Sequence, residues 1–279
     1  MKHAIKLLTF LNVAFIVFLM LSSSFTGWIR ELLYYLAFIV PIVIGCLSSE
    51  ELKRKREEVA GVREEPDRLL EFDLGRAKRL LPLIAPTVAI VFVASFMTSL
   101  ILSLIGASSS GVEEAGIVRM ILVHALAPAL FEEALFRYIP LKLIMPYSKR
   151  WCVFYSALCF ALIHCNFAQM PYAFLAGVMF MIIDVAFGSI WPSIILHFVN
   201  NAASVVWIKY GDGAFGVGMF VGVLLGLVIV SIPFIYTKKD AYRCLLRGSL
   251  DKGENMVYTP AFLSLVLICG YVAVTRLYA

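Results

Sequence analysis

The chain has 279 residues, of which 61% are hydrophobic and 15% charged, with a mean hydropathy of +0.89. Soluble domains use roughly 45–50% apolar residues, so this excess excludes an ordinary soluble enzyme and indicates several membrane crossings. A net charge of +5 would suggest nucleic acid in a soluble protein, but here the bases gather in a few loops between apolar runs, so no nucleic-acid partner follows from it.

In chain order, apolar runs near the ~20 residues that cross ~30 Å of hydrocarbon fall at 4–23, 28–48, 80–105, 117–140, 151–167, 170–187, 189–208, 214–236 and 259–277. They predict an all-α, polytopic transmembrane helical bundle of eight or nine spans. The first run has a charged start and small residues after it, like a signal peptide, but its apolar part has the length of a full span and reads as retained. Starting with the N-terminus cytoplasmic, the loops 49–79, 142–150 and 237–258 fall inside. They carry most of the loop Lys and Arg, among them Lys53, Arg54, Lys55, Arg56, Lys142, Lys149, Arg150, Lys238 and Lys239. This bias fixes the predicted orientation and leaves the C-terminus outside. The outer loop "GASSSGVEEAG" has two acids and no base.

Residues 1–48 thus read as two N-terminal transmembrane helices, 49–79 as a charged cytoplasmic or interfacial segment, and 80–279 as one membrane core with C-terminal spans. Within the charged segment, "DRLLEFDLGRAKRLL" has the composition of a stretch lying along lipid headgroups. The six cysteines, Cys46, Cys152, Cys159, Cys165, Cys244 and Cys269, show no CxxC and no paired spacing, and read as small apolar fillers.

The fourth run holds the anomaly. "PALFEEALFRYIPL" places Glu132, Glu133 and Arg137 in an apolar span, where one ionisable residue near the centre costs at least ~2.5–3.5 kcal/mol on insertion scales. Glu133 and Arg137 are four apart, acid first, and so pair along one helix face. Glu132 lies about 100° further round and must face something else. Two of the four histidines lie in other apolar runs. His164, in "CFALIHCNF", follows Phe160 by four residues, so the phenyl ring shelters its imidazole; His197, in "WPSIILHFVNN", shares a face with Asn200 and Asn201. Each histidine alone is an ordinary interhelical hydrogen bonder. Asp184 reads as a hydrogen-bonded or snorkelling residue at a span end, and His124, ahead of Pro128, as the filler of a kink.

Acid, imidazoles and carboxamide together suit addition of water to a carbonyl. A carboxylate in low dielectric becomes a better base toward water, a neutral imidazole shares the proton, and a second imidazole with an amide NH₂ suits the developing oxyanion. Glu132 with His164 makes the nucleophile; His197 with Asn201 stabilises the product of attack. The same Glu132, His164 and His197 form a His₂Glu set of the kind that holds catalytic zinc, and the residues alone do not choose between a cofactor-free scheme and a zinc scheme. No HExxH is present.

These stretches carry a family pattern. "EEALFR" resembles the EExxxR motif, "FALIH" the FxxxH motif and "HFVNN" the HxxxN motif of the CPBP family of intramembrane proteases (CAAX proteases and bacteriocin-processing, Abi-like proteins), which includes the Ras-converting CAAX prenyl endopeptidases. The resemblance covers roughly 117–207. It implies a helical core around a polar catalytic cavity, and endoproteolysis near the C-terminus of a prenylated protein or other membrane-tethered peptide, with membrane lipid around the chain. It further implies that Glu132 activates water, His164 partners it, His197 and Asn201 hold the oxyanion, and Glu133 with Arg137 supports them. The glutamate scheme needs no cofactor; the alternative needs zinc. The alternatives of the same fold are a non-proteolytic membrane scaffold or regulator, which has no need of all four groups at once, and a bacteriocin self-immunity protein.

Overall fold

Helix α1 (Lys2–Ser23) turns at 24–26 into α2 (Gly27–Ala60), and the two pack along their length. The computed structural model describes residues 2–61, 68–104, 116–166, 169–211, parts of 218–236, and 260–277. Among them every regular element is helical. α2 runs past the expected span end and continues through 49–60. That stretch is rich in good helix formers and carries i,i+4 pairs, Lys55 to Glu51 at 2.6 Å and Arg54 to Glu58 at 3.7 Å. Gly61 ends it in the left-handed conformation, φ 65°, which glycine adopts without steric penalty. Glu50 meets Lys142 at 2.5 Å, so the charged extension is tied to the next bundle layer.

Helix α3 (Leu74–Leu104) follows a short irregular stretch, 68–73. The run from 117 to 143, here α4, is continuous but changes its winding: Ile117–Ile121 is α-helical, Leu122–Leu126 a π turn, Ala127–Glu133 α-helical, Ala134–Tyr138 a second π turn, and Ile139–Leu143 α-helical. Helix α5 (Lys149–Leu162) starts at Ser148, whose side chain accepts from Trp151 N–H at 3.4 Å. Helix α6 (Met170–Phe187) ends at Gly188, φ 74°, and α7 (Trp191–Tyr210) begins after a tight turn. The last described helix is α8 (Pro260–Leu277).

The main core gathers α1, α2, α4, α5, α6 and α8 around Phe15, Phe38, Phe136, Tyr155 and Phe160. α5 and α6 touch most closely at Gly177, where an added Cβ would lie 2.9 Å from Ala157 Cα. α3 packs on the other side of α6 through Val91, Ala176, Phe180 and Ile183. The segment before α3 docks on the α6–α7 turn: Leu69 carbonyl accepts from Ile190 N–H at 2.9 Å and from Ser189 Oγ at 2.9 Å, Leu70 carbonyl accepts from Trp191 Nε1 at 2.9 Å, and Phe72 stacks edge-on against Trp191.

Among the described residues, three helical stretches are long and apolar enough to cross a membrane: His3–Ser23, Gly27–Ala60 and Met170–Phe187. Pro86–Thr98 within α3 and Leu263–Val274 within α8 are further apolar stretches. The expected fifth span, 151–167, is a correction: α5 stops at Leu162 and places His164 in the following turn. There His164 N–H reaches Ala161 carbonyl at 3.3 Å and Cys165 N–H reaches Leu162 carbonyl at 3.0 Å, with Cys165 at φ 46°. Part of the expected span 214–236, and all of the loop 237–258, lie outside the described residues.

Candidate active site

Two prolines shape the helix that carries the acids. Pro128 follows the first π turn of α4 and Pro140 the second. Proline has no N–H to give the carbonyl four residues back, and its ring crowds that carbonyl. Wider i→i+5 bonds accommodate the helix, with Ala127 N–H donating to Leu122 O and Ile139 N–H to Ala134 O. The carbonyl that Pro140 leaves without its usual donor belongs to Phe136. It accepts instead from Ser156 Oγ of α5 and from Arg137 Nη1, the latter at 3.3 Å. Phe136 is fully buried, and a backbone carbonyl freed away from water needs such a substitute donor. Glu132 and Glu133 therefore sit on a short α-helical turn between two π turns, a local geometry that recurs at functional sites. His124, exposed in the first π turn, belongs to the backbone adjustment ahead of Pro128.

Glu133 and Arg137 are both fully buried, with Arg137 Nε 3.2 Å from Glu133 Oε2. The guanidinium also lies over the Phe160 ring at 4.5 Å and near Phe180 at 5.9 Å. Glu133 also holds a second partner, since its Oε1 lies 2.7 Å from His197 Nδ1. A carboxylate can only accept, so His197 Nδ1 carries the proton. Its Nε2 then looks away from Glu133 and lies 3.9 Å from Glu132 Oε2. One carboxylate orients the ring, while the other faces its second nitrogen.

His164 shows the same logic with a different partner. Its Nδ1 is 2.7 Å from Phe160 carbonyl, and a carbonyl also only accepts, so the neutral ring has Nε2 as its acceptor nitrogen. Phe160 stands between the two histidines, edge-on to His164 at 5.0 Å and to His197 at 5.7 Å. Glu132 interacts electrostatically with both imidazoles and with the hydroxyls of Tyr34 and Tyr172. Its side chain is 16% exposed, whereas Glu133 is wholly enclosed.

Asn201 belongs to a polar group on α7. Asn200 Nδ2 donates to Asn201 Oδ1 at 3.2 Å and to Tyr172 OH at 2.5 Å, and the Tyr172 hydroxyl also bonds the side chain of Ser95 on α3. Asp184 is fully buried, so it does not snorkel. Its Oδ1 accepts from Ser193 N–H at 3.1 Å, which caps the first turn of the histidine helix, and the Ser193 hydroxyl, which donates to Ile190 carbonyl at 2.9 Å, lies near both Asp184 and Glu133.

The structure thus brings Glu132, Glu133, Arg137, Phe160, His164 and His197 together from α4, α5 with its following turn, and α7, with Asn201 on α7 beside Asn200. Tyr34, Tyr172 and Ser193 carry no mark in the sequence that would single them out, and Asn200 stands out there only as a neighbour of His197. Tyrosine and serine carry no charge anomaly in an apolar run, and Tyr34 and Ser95 lie outside the motif region altogether. Among the described residues, no group of three or more His, Cys, Asp or Glu side chains is arranged to hold a metal ion. Glu132, His164 and His197 do not close into a ligand set there.

Residues 114–203 match the protein family described as Type II CAAX prenyl endopeptidase Rce1-like. This agrees with the CAAX-protease resemblance. The matched stretch contains Glu132, His164, His197 and Asn201, while α1, α2 and α8 lie outside it. The family is one of peptidases, and the match supports a peptidase at that general level. No curated protein and no solved structure matches the chain.

Proposed function

We propose that the protein is a multi-pass intramembrane endopeptidase that hydrolyses a peptide bond in a membrane-tethered substrate of the prenylated CaaX kind. The observation that carries the reading is the position of Glu132. It faces His197 Nε2 at 3.9 Å while Glu133 holds the opposite ring nitrogen. Glu132 accepts a proton from a water molecule, with the acceptor nitrogen of His164 sharing it, and the hydroxide attacks the scissile carbonyl. With Nδ1 donating to Glu133, His197 serves as an oxyanion donor only as the imidazolium, through Nε2–H. The Glu133 and Glu132 carboxylates on its two sides attract that charged form. Asn201 supplies the second donor through its amide N–H. The proton on Glu132 passes to the leaving amine as the carbon–nitrogen bond breaks. No step is routed through zinc. In the membrane, nine spans, a cytoplasmic N-terminus and an outside C-terminus fit the distribution of Lys and Arg.

Purified protein in lipid vesicles, given a farnesylated peptide ending in a CaaX sequence, is expected to release the terminal tripeptide. Glu132→Gln removes the base while keeping the shape, and turnover should fall to background. Cleavage by that variant at the wild-type rate would sink the mechanism.

A further inference from the structure

We infer that Asn200 is a positioning residue that fixes which end of the Asn201 carboxamide faces the reacting carbonyl; the inference rests on the oxyanion role proposed above for Asn201. A carboxamide is nearly symmetric in shape and opposite in charge at its two ends. Turned one way it donates to an oxyanion; turned the other it presents its own oxygen and repels it. Asn200 Nδ2 lies 3.2 Å from Asn201 Oδ1, which anchors the oxygen end and leaves the NH₂ end on the other side. Asn200 is itself held. It is 6% exposed, and its Nδ2 also donates to Tyr172 OH at 2.5 Å. The Tyr172 hydroxyl bonds Ser95, so it is fixed from α3 as well. Reversing Asn200 would set its oxygen against that of Asn201, forfeiting that bond, and would require the Tyr172 hydroxyl to turn from acceptor to donor. The lock therefore runs Ser95, Tyr172, Asn200, Asn201. It draws α3, outside the matched stretch, and α6 into the setting of a donor on α7.

The variant that tests this is Asn200→Asp, which keeps the volume but replaces the NH₂ by an acceptor. Asn201 then turns its NH₂ toward Asp and its oxygen toward the site. With the farnesylated CaaX peptide in vesicles, kcat should fall about 10²–10³-fold while KM stays within about twofold. Because Asn200 acts through Asn201, the double variant Asn200→Asp/Asn201→Ala should lose no more than Asn201→Ala alone. Tyr172→Phe should give a smaller loss in kcat that also vanishes in the Asn201→Ala background. Losses that multiply, or an Asn200→Asp enzyme with wild-type kcat, overturn the inference while leaving the Glu132 mechanism standing. A direct readout needs no turnover. In ¹⁵N-asparagine-labelled protein, the Asn201 side-chain amide resonances should move in both Asn200→Asp and Tyr172→Phe, and unmoved resonances refute the lock whatever the substrate proves to be.

Discussion

Replacing Arg137 by methionine isolates the physics of the buried charges. The guanidinium lies 3.2 Å from Glu133 Oε2, donates to Phe136 carbonyl at 3.3 Å and sits 4.5 Å from the Phe160 ring centre, with no exposure to solvent. Methionine fills most of the space, so a cavity adds little; what remains is a buried carboxylate with His197 beside it. Removing one member of a buried ion pair costs about 3–5 kcal/mol, and the lost contact with the Phe160 ring adds to this. A loss of that size lowers a melting temperature on the order of 10 °C for a domain of this length. Thermal unfolding in mixed micelles, followed by intrinsic tryptophan fluorescence, measures it. The double variant Glu133→Gln/Arg137→Met removes both charges and keeps an acceptor for His197 Nδ1, so it should be more stable than Arg137→Met alone. An Arg137→Met protein within about 1 kcal/mol of wild type, or a double variant as unstable as the sum of the singles, would refute the account of Glu133 as a charge held by Arg137.

Three further outcomes follow from the same contacts. His164→Ala should lower kcat by about 10²–10⁴-fold in the peptide assay, as loss of an acid–base group does; wild-type turnover would remove His164 from the chemistry. Gly177→Ala brings a methyl group to 2.9 Å from Ala157 Cα, and this overpacking should cost about 1–3 kcal/mol of stability, whereas an unchanged melting temperature would show that α5 and α6 do not meet there. Treatment with 1,10-phenanthroline followed by metal analysis should leave turnover intact, and activity that is lost and then restored by zinc would replace the glutamate scheme by the zinc one.

Part of the site was readable because charges in an apolar run are conspicuous. Glu133 and Arg137 needed only helical spacing, and they meet at 3.2 Å. His164 illustrates the limit. Composition carries the apolar run on through the histidine, but the backbone stops at Leu162, and the turn aims the imidazole from a helix end. The π turns were likewise hidden. Pro128 and Pro140 announce a disturbance in α4, yet whether a helix kinks, breaks or widens depends on what takes up the freed carbonyl. Here Ser156, twenty positions on, does so at Phe136.

Composition and spacing alone pointed to the medium and to the candidate groups: an apolar chain with a few acids, imidazoles and amides that are costly to bury. The packing of the helices set the division of labour among those groups. Spacing assigned His197 to Asn201, its neighbour on the helix, but bringing α7 against α4 gave its Nδ1 to Glu133 and turned its Nε2 toward Glu132. Helical periodicity governs neighbours three or four residues apart. A hydrogen bond between residues 64 positions apart depends on how the helices cross, and no local pattern records that.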